Sequence, residues 1–391
     1  MIGHGFMGAA HSQGWRVAPR FFDLPADPVM AVVVGRDAAA AARAAQKWGW
    51  ADSSVDWREV IDREDIDVID IVTPGDTHAE IAIAALEAGK HVLCEKPLAN
   101  TVEEAQAMTD AASRAASRGV RAMVGFTYRR VPAATLARDL VAAGRIGEIR
   151  QVCAAYRQDW LTDAEAPLTW RMQKDRAGSG ALGDIGAHAV DLSEYITGLR
   201  LTSVSGIIDT IVTERPLLAE GSGLSGTAST ERGAVTVDDI ALFSGRYETP
   251  AGSRYAPLAG FEATRFATGR KNGLTIEVSG SKGAVSFDLE RLNELDFYDA
   301  TLPGAEQGFR TILVTEPEHP YLAPWWPAGH MLGYEHGFSH QVVDLVEAIH
   351  RGEQPRPSFG DGLHVQRVLD AVERSSAAGS SWIAIPEDQR D

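Results

Sequence analysis

From Phe6 to about Ala122 short apolar runs alternate with longer, Ala-rich amphipathic segments. The runs at 29–34, 68–72, 91–94 and 121–125 are compact and bounded by polar or glycine residues, which predicts buried strands. Between them 37–48, 77–88 and 102–118 carry apolar residues at helical spacing, and a further helix is expected from Phe6 to about Trp15. Asp37, Thr77 and Thr101 stand where N-caps belong, and Gly89 where a helix-ending glycine belongs. Strands that alternate with helices build a parallel sheet covered on both faces, so this stretch predicts an α/β, Rossmann-type domain over 1–127.

The texture changes after Phe126-Thr127-Tyr128-Arg129-Arg130. A helix at 132–143 leads into a long strand at 149–160, and a second helix is expected near 183–195. Seven strand-like runs then follow without intervening helices, at 203–212, 235–247, 260–268, 274–279, 284–289, 294–298 and 309–314. That run predicts an α+β domain over 128–391 with a large, mostly antiparallel open sheet, closed by helices near 334–351 and 361–376. The Gly/Ser-rich stretch 221–230 reads as an exposed loop.

Composition narrows the function classes. A chain of 391 residues exceeds one ordinary core, and 45% hydrophobic with 23% charged residues is the balance of a soluble globular protein. The formal net charge of −17 leaves no basic footprint for nucleic acid. No run approaches the roughly 18 to 20 apolar residues of a membrane span, and no leader pattern precedes the first glycines, so a cytoplasmic address is expected. Cys94 and Cys153 each lie in an apolar run and are expected to be buried thiols rather than a disulfide.

Met1-Ile2-Gly3-His4-Gly5-Phe6-Met7-Gly8 opens the chain with GxGxxG, the turn that lets backbone approach a dinucleotide pyrophosphate at a helix N-terminus. A strand of about five or six residues should feed that turn, yet only Met1 and Ile2 precede Gly3. Either the start is internal or miscalled, or the fold tolerates a stub; added upstream apolar residues should then raise stability and cofactor affinity. A second GxGxxG at Gly221–Gly226 follows no strand and opens no helix, and is expected to bind nothing.

Glu95-Lys96-Pro97 directly follows a predicted strand, where open α/β sheets place their ligand crevice. Either its lysine reaches a substrate, or it is a solvated Lys before a helix-starting proline. In Gly178-Ser179-Gly180-Ala181-Leu182-Gly183-Asp184-Ile185-Gly186-Ala187-His188, Asp184 and His188 share one helical face, where a carboxylate favours the protonated imidazole and fixes its orientation. The alternative is a helix-terminal Asp with a satisfied core histidine. No HExxH or Cys pair completes a metal site, so none is expected, and no GxSxG elbow supports a hydrolase.

Taken together, the glycine turn, Thr73-Pro74 with His78, Glu95-Lys96-Pro97, Trp170-Arg171 and Asp184 with His188 resemble the Gfo/Idh/MocA oxidoreductases over essentially the whole chain. The resemblance implies a catalytic set of Lys96, Asp184 and His188, a candidate cis Lys96-Pro97 peptide, and a homodimer or homotetramer built through the large sheet. It implies a nicotinamide cofactor met by Gly3, Gly5, Phe6, Met7, Gly8, Gly35, Arg36, Thr73, Pro74, His78, Glu95 and Lys96. Gly75 departs from the Asn that many members carry after Thr-Pro. Gly35-Arg36 ends the second strand without the acid that would bind the ribose of NAD and could receive the 2′-phosphate of NADP, so NAD or NADP both remain open.

The implied activity is oxidation of a secondary hydroxyl of a sugar, anhydrosugar, glycoside or cyclitol. His188 is the better base, because a free imidazole titrates near about pH 6.5, with Lys96 on the same oxygen and Asp184 orienting the pair; the first two roles could be exchanged. Arg130, Tyr156, Gln158, Asp159, Trp160, Trp170, Arg171, His330 and Tyr334 supply the planar polar groups and aromatic faces that sugars need. Each could equally fill core. A non-enzymatic dinucleotide or sugar sensor, or a sugar reductase with tightly held cofactor, are the rival readings.

Overall fold

The computed structural model describes residues 1–222 and 225–386. The described chain folds as two compact units, Met1–Thr127 with Tyr334–Gln366, and Tyr128–Gly333 with residues 367–386. The first unit therefore takes in a C-terminal segment that the sequence assigned to the domain 128–391. The cause is packing: Trp15 and Ala18 share a buried cluster with Leu93, Met123, Val342, Val343 and Leu345. Gly14 also lets Phe338 approach so closely that a Cβ would lie 2.8 Å from its carbonyl oxygen.

In the first unit, strands β1 (Val32–Val34), β2 (Asp52–Ser54), β3 (Val68–Ile71), β4 (His91–Cys94) and β5 (Ala122–Val124) are all parallel. Helices α1 (Phe6–Phe21), α2 (Ala38–Trp48), α3 (Trp57–Ile61), α4 (His78–Glu87) and α5 (Val102–Ala116) connect them. Asp37 caps α2 by accepting from Ala40 N at 2.6 Å, and Thr101 with Glu104 makes a capping box on α5. Thr77 makes no such bond to α4; its hydroxyl turns to Thr73 Oγ1 and Pro74 O.

Ile2 stands between β1 and β3. Ile2 bridges in parallel to both Val34 and Ile71, donating to Asp70 O at 2.7 Å and accepting from Val72 N at 2.9 Å. Met1 is buried and its backbone nitrogen donates to Val32 O at 2.8 Å. Two residues thus satisfy the facing edges of β1 and β3.

In the second unit a nine-stranded sheet runs in the order β15-β14-β13-β12-β6-β11-β10-β7-β16. Its members are β6 (Ile149–Arg157), β7 (Leu201–Asp209), β10 (Ile240–Tyr247), β11 (Leu258–Thr264), β12 (Gly273–Gly280), β13 (Gly283–Asp288), β14 (Glu294–Asp299), β15 (Phe309–Leu313) and β16 (Ile383–Ala384). Only β6 and β11 pair in parallel. Helices α6 (Pro132–Ala142), α7 (Lys174–Ala177) and α8 (Ala187–Thr197) complete this unit with the C-terminal part of the helix Phe359–Ala377.

Two expectations are corrected here. The stretch expected as a loop at 221–230 belongs to a hairpin, β8 (Glu214–Ser222) with β9 (Ser225–Ala234), because ladder bonds need backbone rather than apolar side chains. Gly223 and Leu224 of the second GxGxxG lie outside the described residues. Cys94 is buried but Cys153 is exposed, since strand alternation turns it away from buried Val152 and Ala154. No described helix is long and apolar enough to cross a membrane.

Candidate active site

The three glycines of the opening turn answer three different demands. Gly3 has φ +108° and Val72 O 2.9 Å from where a Cβ would stand, so only glycine fits. Gly8 packs equally close to Gly3 O, also at 2.9 Å, tying helix to strand. Gly5 is exposed, and a Cβ there would meet nothing within 4 Å. No side chain caps the N-terminus of α1 and its first turn carries no acid, so its amides suit an anionic pyrophosphate. Phe6, 59% exposed, stacks on Tyr334 with ring centroids 6.3 Å apart, while Met7 packs toward Met1, Val33 and Val72.

At the end of β1, Gly35 is covered by the His4 ring, which would lie about 2 Å from any added Cβ. Arg36 is exposed, and Asp37 is engaged as the α2 cap. After β3, Thr73 and Pro74 form a loop braced by His78. The His78 Nε2 lies 2.9 Å from Thr73 O, and Nδ1 lies 3.1 Å from Pro97 O. His78 is 1% exposed, which makes it a brace between two loops rather than an open ligand contact. At Gly75 a Cβ would fall 2.4 Å from Asn100 Oδ1, so the departure from Asn at this position goes with a neighbouring Asn that fills the space.

Glu95 and Lys96 follow β4, with a cis peptide between Lys96 and Pro97. Lys96 is half-buried; Glu95, at 4% exposed, points into the unit and accepts from the Lys96 amide at 3.2 Å.

In the second unit, Asp184 lies in a π-helical turn, Leu182–Gly186, that runs directly into α8, which carries His188. The turn is held from outside. Asp238 accepts from Gly180 N at 2.6 Å and Leu182 N at 2.7 Å, and Gly180 must lack a side chain because a Cβ would lie 1.7 Å from Asp238 O. Burial raises the Asp238 carboxyl above its ordinary pKa, against the pull of those amides. Gly186 lets the segment approach Ala263 on β11.

His188 is buried against Tyr128, ring centroids 4.5 Å apart, with Tyr156 at 5.9 Å. A polar chain runs from these rings: Tyr128 and Tyr156 hydroxyls lie 2.9 Å apart, and Tyr156 donates to Asn272 Oδ1 at 2.6 Å. Gln158 donates to the same Asn272 oxygen and accepts from Trp160 Nε1. Arg265, fully buried, lies 3.9 Å from Asp184, stacks over Trp160 and donates to Asp238 O. Arg171 lies over Trp170, its pKa lowered by burial against the raising field of Asp184.

The structure thus gathers Tyr156, Gln158, Trp160 and His188, and adds Tyr128, Asn272, Arg265 and Asp238, which the sequence did not single out. Tyr128 stood in the FTYRR run that marked the domain change; Asn272 gave no signal. Of the other expected contacts, Asp159 accepts from Lys271 Nζ at 2.7 Å, His330 is exposed with Nδ1 2.7 Å from Pro327 O, and Tyr334 lies in the first unit. Arg130 is 1% exposed. Among the described residues no group of three or more His, Cys, Asp or Glu side chains could hold a metal.

Sequence and structure comparison finds relatives for both halves of the chain. Residues 1–126 match the model of an oxidoreductase family with an NAD-binding Rossmann fold, and residues 135–286 match the GFO/IDH/MocA C-terminal domain. The chain is 42% identical to levoglucosan dehydrogenase of Pseudarthrobacter phenanthrenivorans, over 99% of this chain and 97% of that protein. It is 61% identical to an oxidoreductase domain protein from Kribbella flavida, with a TM-score of 0.92 over 99% of this chain and 98% of that one. The solved complex of levoglucosan dehydrogenase with NADH and levoglucosan gives 41% identity and a TM-score of 0.90 over the same shares. A chain matched along both halves and nearly end to end belongs to the GFO/IDH/MocA family of oxidoreductases.

Proposed function

We propose that this oxidoreductase is a sugar dehydrogenase that oxidises a secondary hydroxyl of a pyranose, anhydrosugar, glycoside or cyclitol. The observation that carries the reading is the near-full-length similarity to levoglucosan dehydrogenase, in a chain whose glycine turn leaves Gly5 open over an uncapped helix N-terminus. When bound, the nicotinamide supplies the hydride acceptor. The chain's own residues supply the rest. Loss of hydride from carbon requires the hydroxyl proton to leave as well, and the His188 imidazole takes it. Lys96 Nζ donates to the same oxygen and stabilises its developing negative charge, while Asp184 orients the pair. The aromatic faces beside His188 suit a sugar ring, and the amides and hydroxyls of Gln158 and Tyr156 suit its hydroxyls.

The cofactor reading extends to NADP. No carboxylate stands at Gly35 to hold a ribose hydroxyl, Asp37 is committed to its cap, and His4 with exposed Arg36 favours an added phosphate. The test is a panel of sugars, glycosides and inositols with NAD and NADP in turn, following absorbance of the reduced cofactor. Lys96→Ala and His188→Ala should each lower kcat by about 10²- to 10⁴-fold while NADH binding, followed by fluorescence, persists. Near-normal turnover in either variant removes that residue from the mechanism. No turnover of any polyol by the unmodified protein turns the reading to a sensor.

A further inference from the structure

A buried charged cluster of the first unit lies outside the chemistry above. His11, on α1, is 2% exposed, and its ring joins two carboxylates carried on different strand ends. Nδ1 lies 2.9 Å from Asp70 Oδ1, and Nε2 lies 2.9 Å from Glu95 Oε1. Asp70 also accepts from Trp15 Nε1 at 2.7 Å. Ionised carboxylates only accept, so an acid on each side requires an N–H on both ring nitrogens, which is the imidazolium. Burial pulls the His11 pKa down, but Asp70 and Glu95 outweigh it and hold it up at about 10. Phe338 packs against the ring at 5.4 Å, and the Cys94 thiol lies in the field of both carboxylates.

Glu95 is the member that points toward chemistry. One oxygen is fixed by His11; the other accepts the amide of Lys96 at 3.2 Å. Gly125 at the end of β5 is shaped around it, since a Cβ there would stand 2.7 Å from Glu95 Oε1. The carboxylate is thus held at both ends in a space made for it.

We propose that His11 is a positioning residue for Lys96: by holding Glu95 it fixes the Glu95–Lys96 peptide at the end of β4, and so the root of the lysine side chain. This rests on the reading of Lys96 as catalytic. Misplacing a reacting group by an ångström costs about 10²-fold in rate, so a backbone anchor one residue away carries kinetic weight. Without the imidazolium, two buried carboxylates would face each other uncompensated.

The test compares two charge-matched double variants, His11→Gln/Asp70→Asn and His11→Ala/Asp70→Asn. Both remove one acid and the imidazolium, but only the glutamine can still donate to Glu95. The Gln pair should keep kcat within about threefold of the unmodified protein. The Ala pair should lose about 10- to 100-fold in kcat with NADH affinity within about threefold. Equal kcat in the two double variants overturns the proposal, as does loss of NADH affinity in step with kcat. A readout without turnover separates this from the sugar reading: in selectively labelled protein, the Lys96 amide resonance should shift in the Ala pair and hold in the Gln pair. If no polyol is oxidised at all, a shift confined to the Ala pair still upholds the anchor, and an unmoved amide overturns it.

Discussion

At the scale of single residues, buried charge sets a pH dependence that the surface charge does not hide. The folded-state pKa of His11 is raised from 6.5 to about 10, so the stability it contributes is fully present below pH 6.5 and is lost as pH rises toward 10. Across that range the His11 term alone sets a falling slope. Cys94, raised above its ordinary 9.0 by burial, adds to the loss only beyond pH 9. The expected result is a thermal midpoint that declines from pH 6.5 to 9, as His11 withdraws on the order of 1 kcal/mol of stability per pH unit. A rising midpoint across pH 8 to 9 would mean that the Asp70–His11–Glu95 cluster is not ionised as described. The residues of the glycine turn were legible beforehand because backbone geometry alone dictates them. Nothing in the sequence marked His11, whose role exists only once α1, β3 and β4 bring three distant side chains together.

At the scale of elements, the helix expected near 183–195 was to carry Asp184 and His188 on one face. It forms instead a π turn that becomes α8, and such turns, rare in general, cluster at functional sites. What holds it is Asp238, from a different part of the chain, through two amides at its start. Asp238→Ala should lower the stability of the second unit by about 2 to 3 kcal/mol, read from urea unfolding, because both amides lose a charged acceptor in a buried place. Asp238→Asn, which keeps one acceptor, should lose less. Equal losses would indicate that cavity formation rather than capping dominates. Apolar periodicity exposed the strands whose side chains enter a core, such as β3 and β4. It gave no sign of β2, whose Asp-Ser-Ser sequence pairs by backbone alone, nor of the β8–β9 hairpin, which looked like a polar loop. The tyrosine wall beside His188 was half legible: Tyr156 stood in a suggestive run, but Asn272 joins it only through the β6–β12 pairing.

At the scale of the molecule, the nine-stranded sheet has one face turned to a core and one that is not. Along β10 burial alternates strictly from Ala241 onward, and the outward positions include Leu242, 41% exposed. Its direct cross-strand partner on β7 is Ile207, 51% exposed, and Leu258 on neighbouring β11 is 47% exposed. Antiparallel sheets that face water on one side usually present polar residues there, so paired aliphatic side chains call for a cover. We expect that cover to be a second copy of the chain, as the family resemblance implied, and the protein to run as a dimer or tetramer in light scattering. Each copy carries a net charge of −17, so association must overcome a long-range repulsion that salt screens within about 10 Å at 0.1 M. Self-association should therefore strengthen, not weaken, as sodium chloride is raised, which is the reverse of an interface held by ion pairs. Leu242→Glu adds charge to the Leu242–Ile207 pair and should shift the protein toward monomer with its thermal midpoint little changed, since the substituted position lies outside the core. An unchanged assembly in Leu242→Glu would place the subunit contact on another surface, and a monomeric starting protein would leave this face to a different partner.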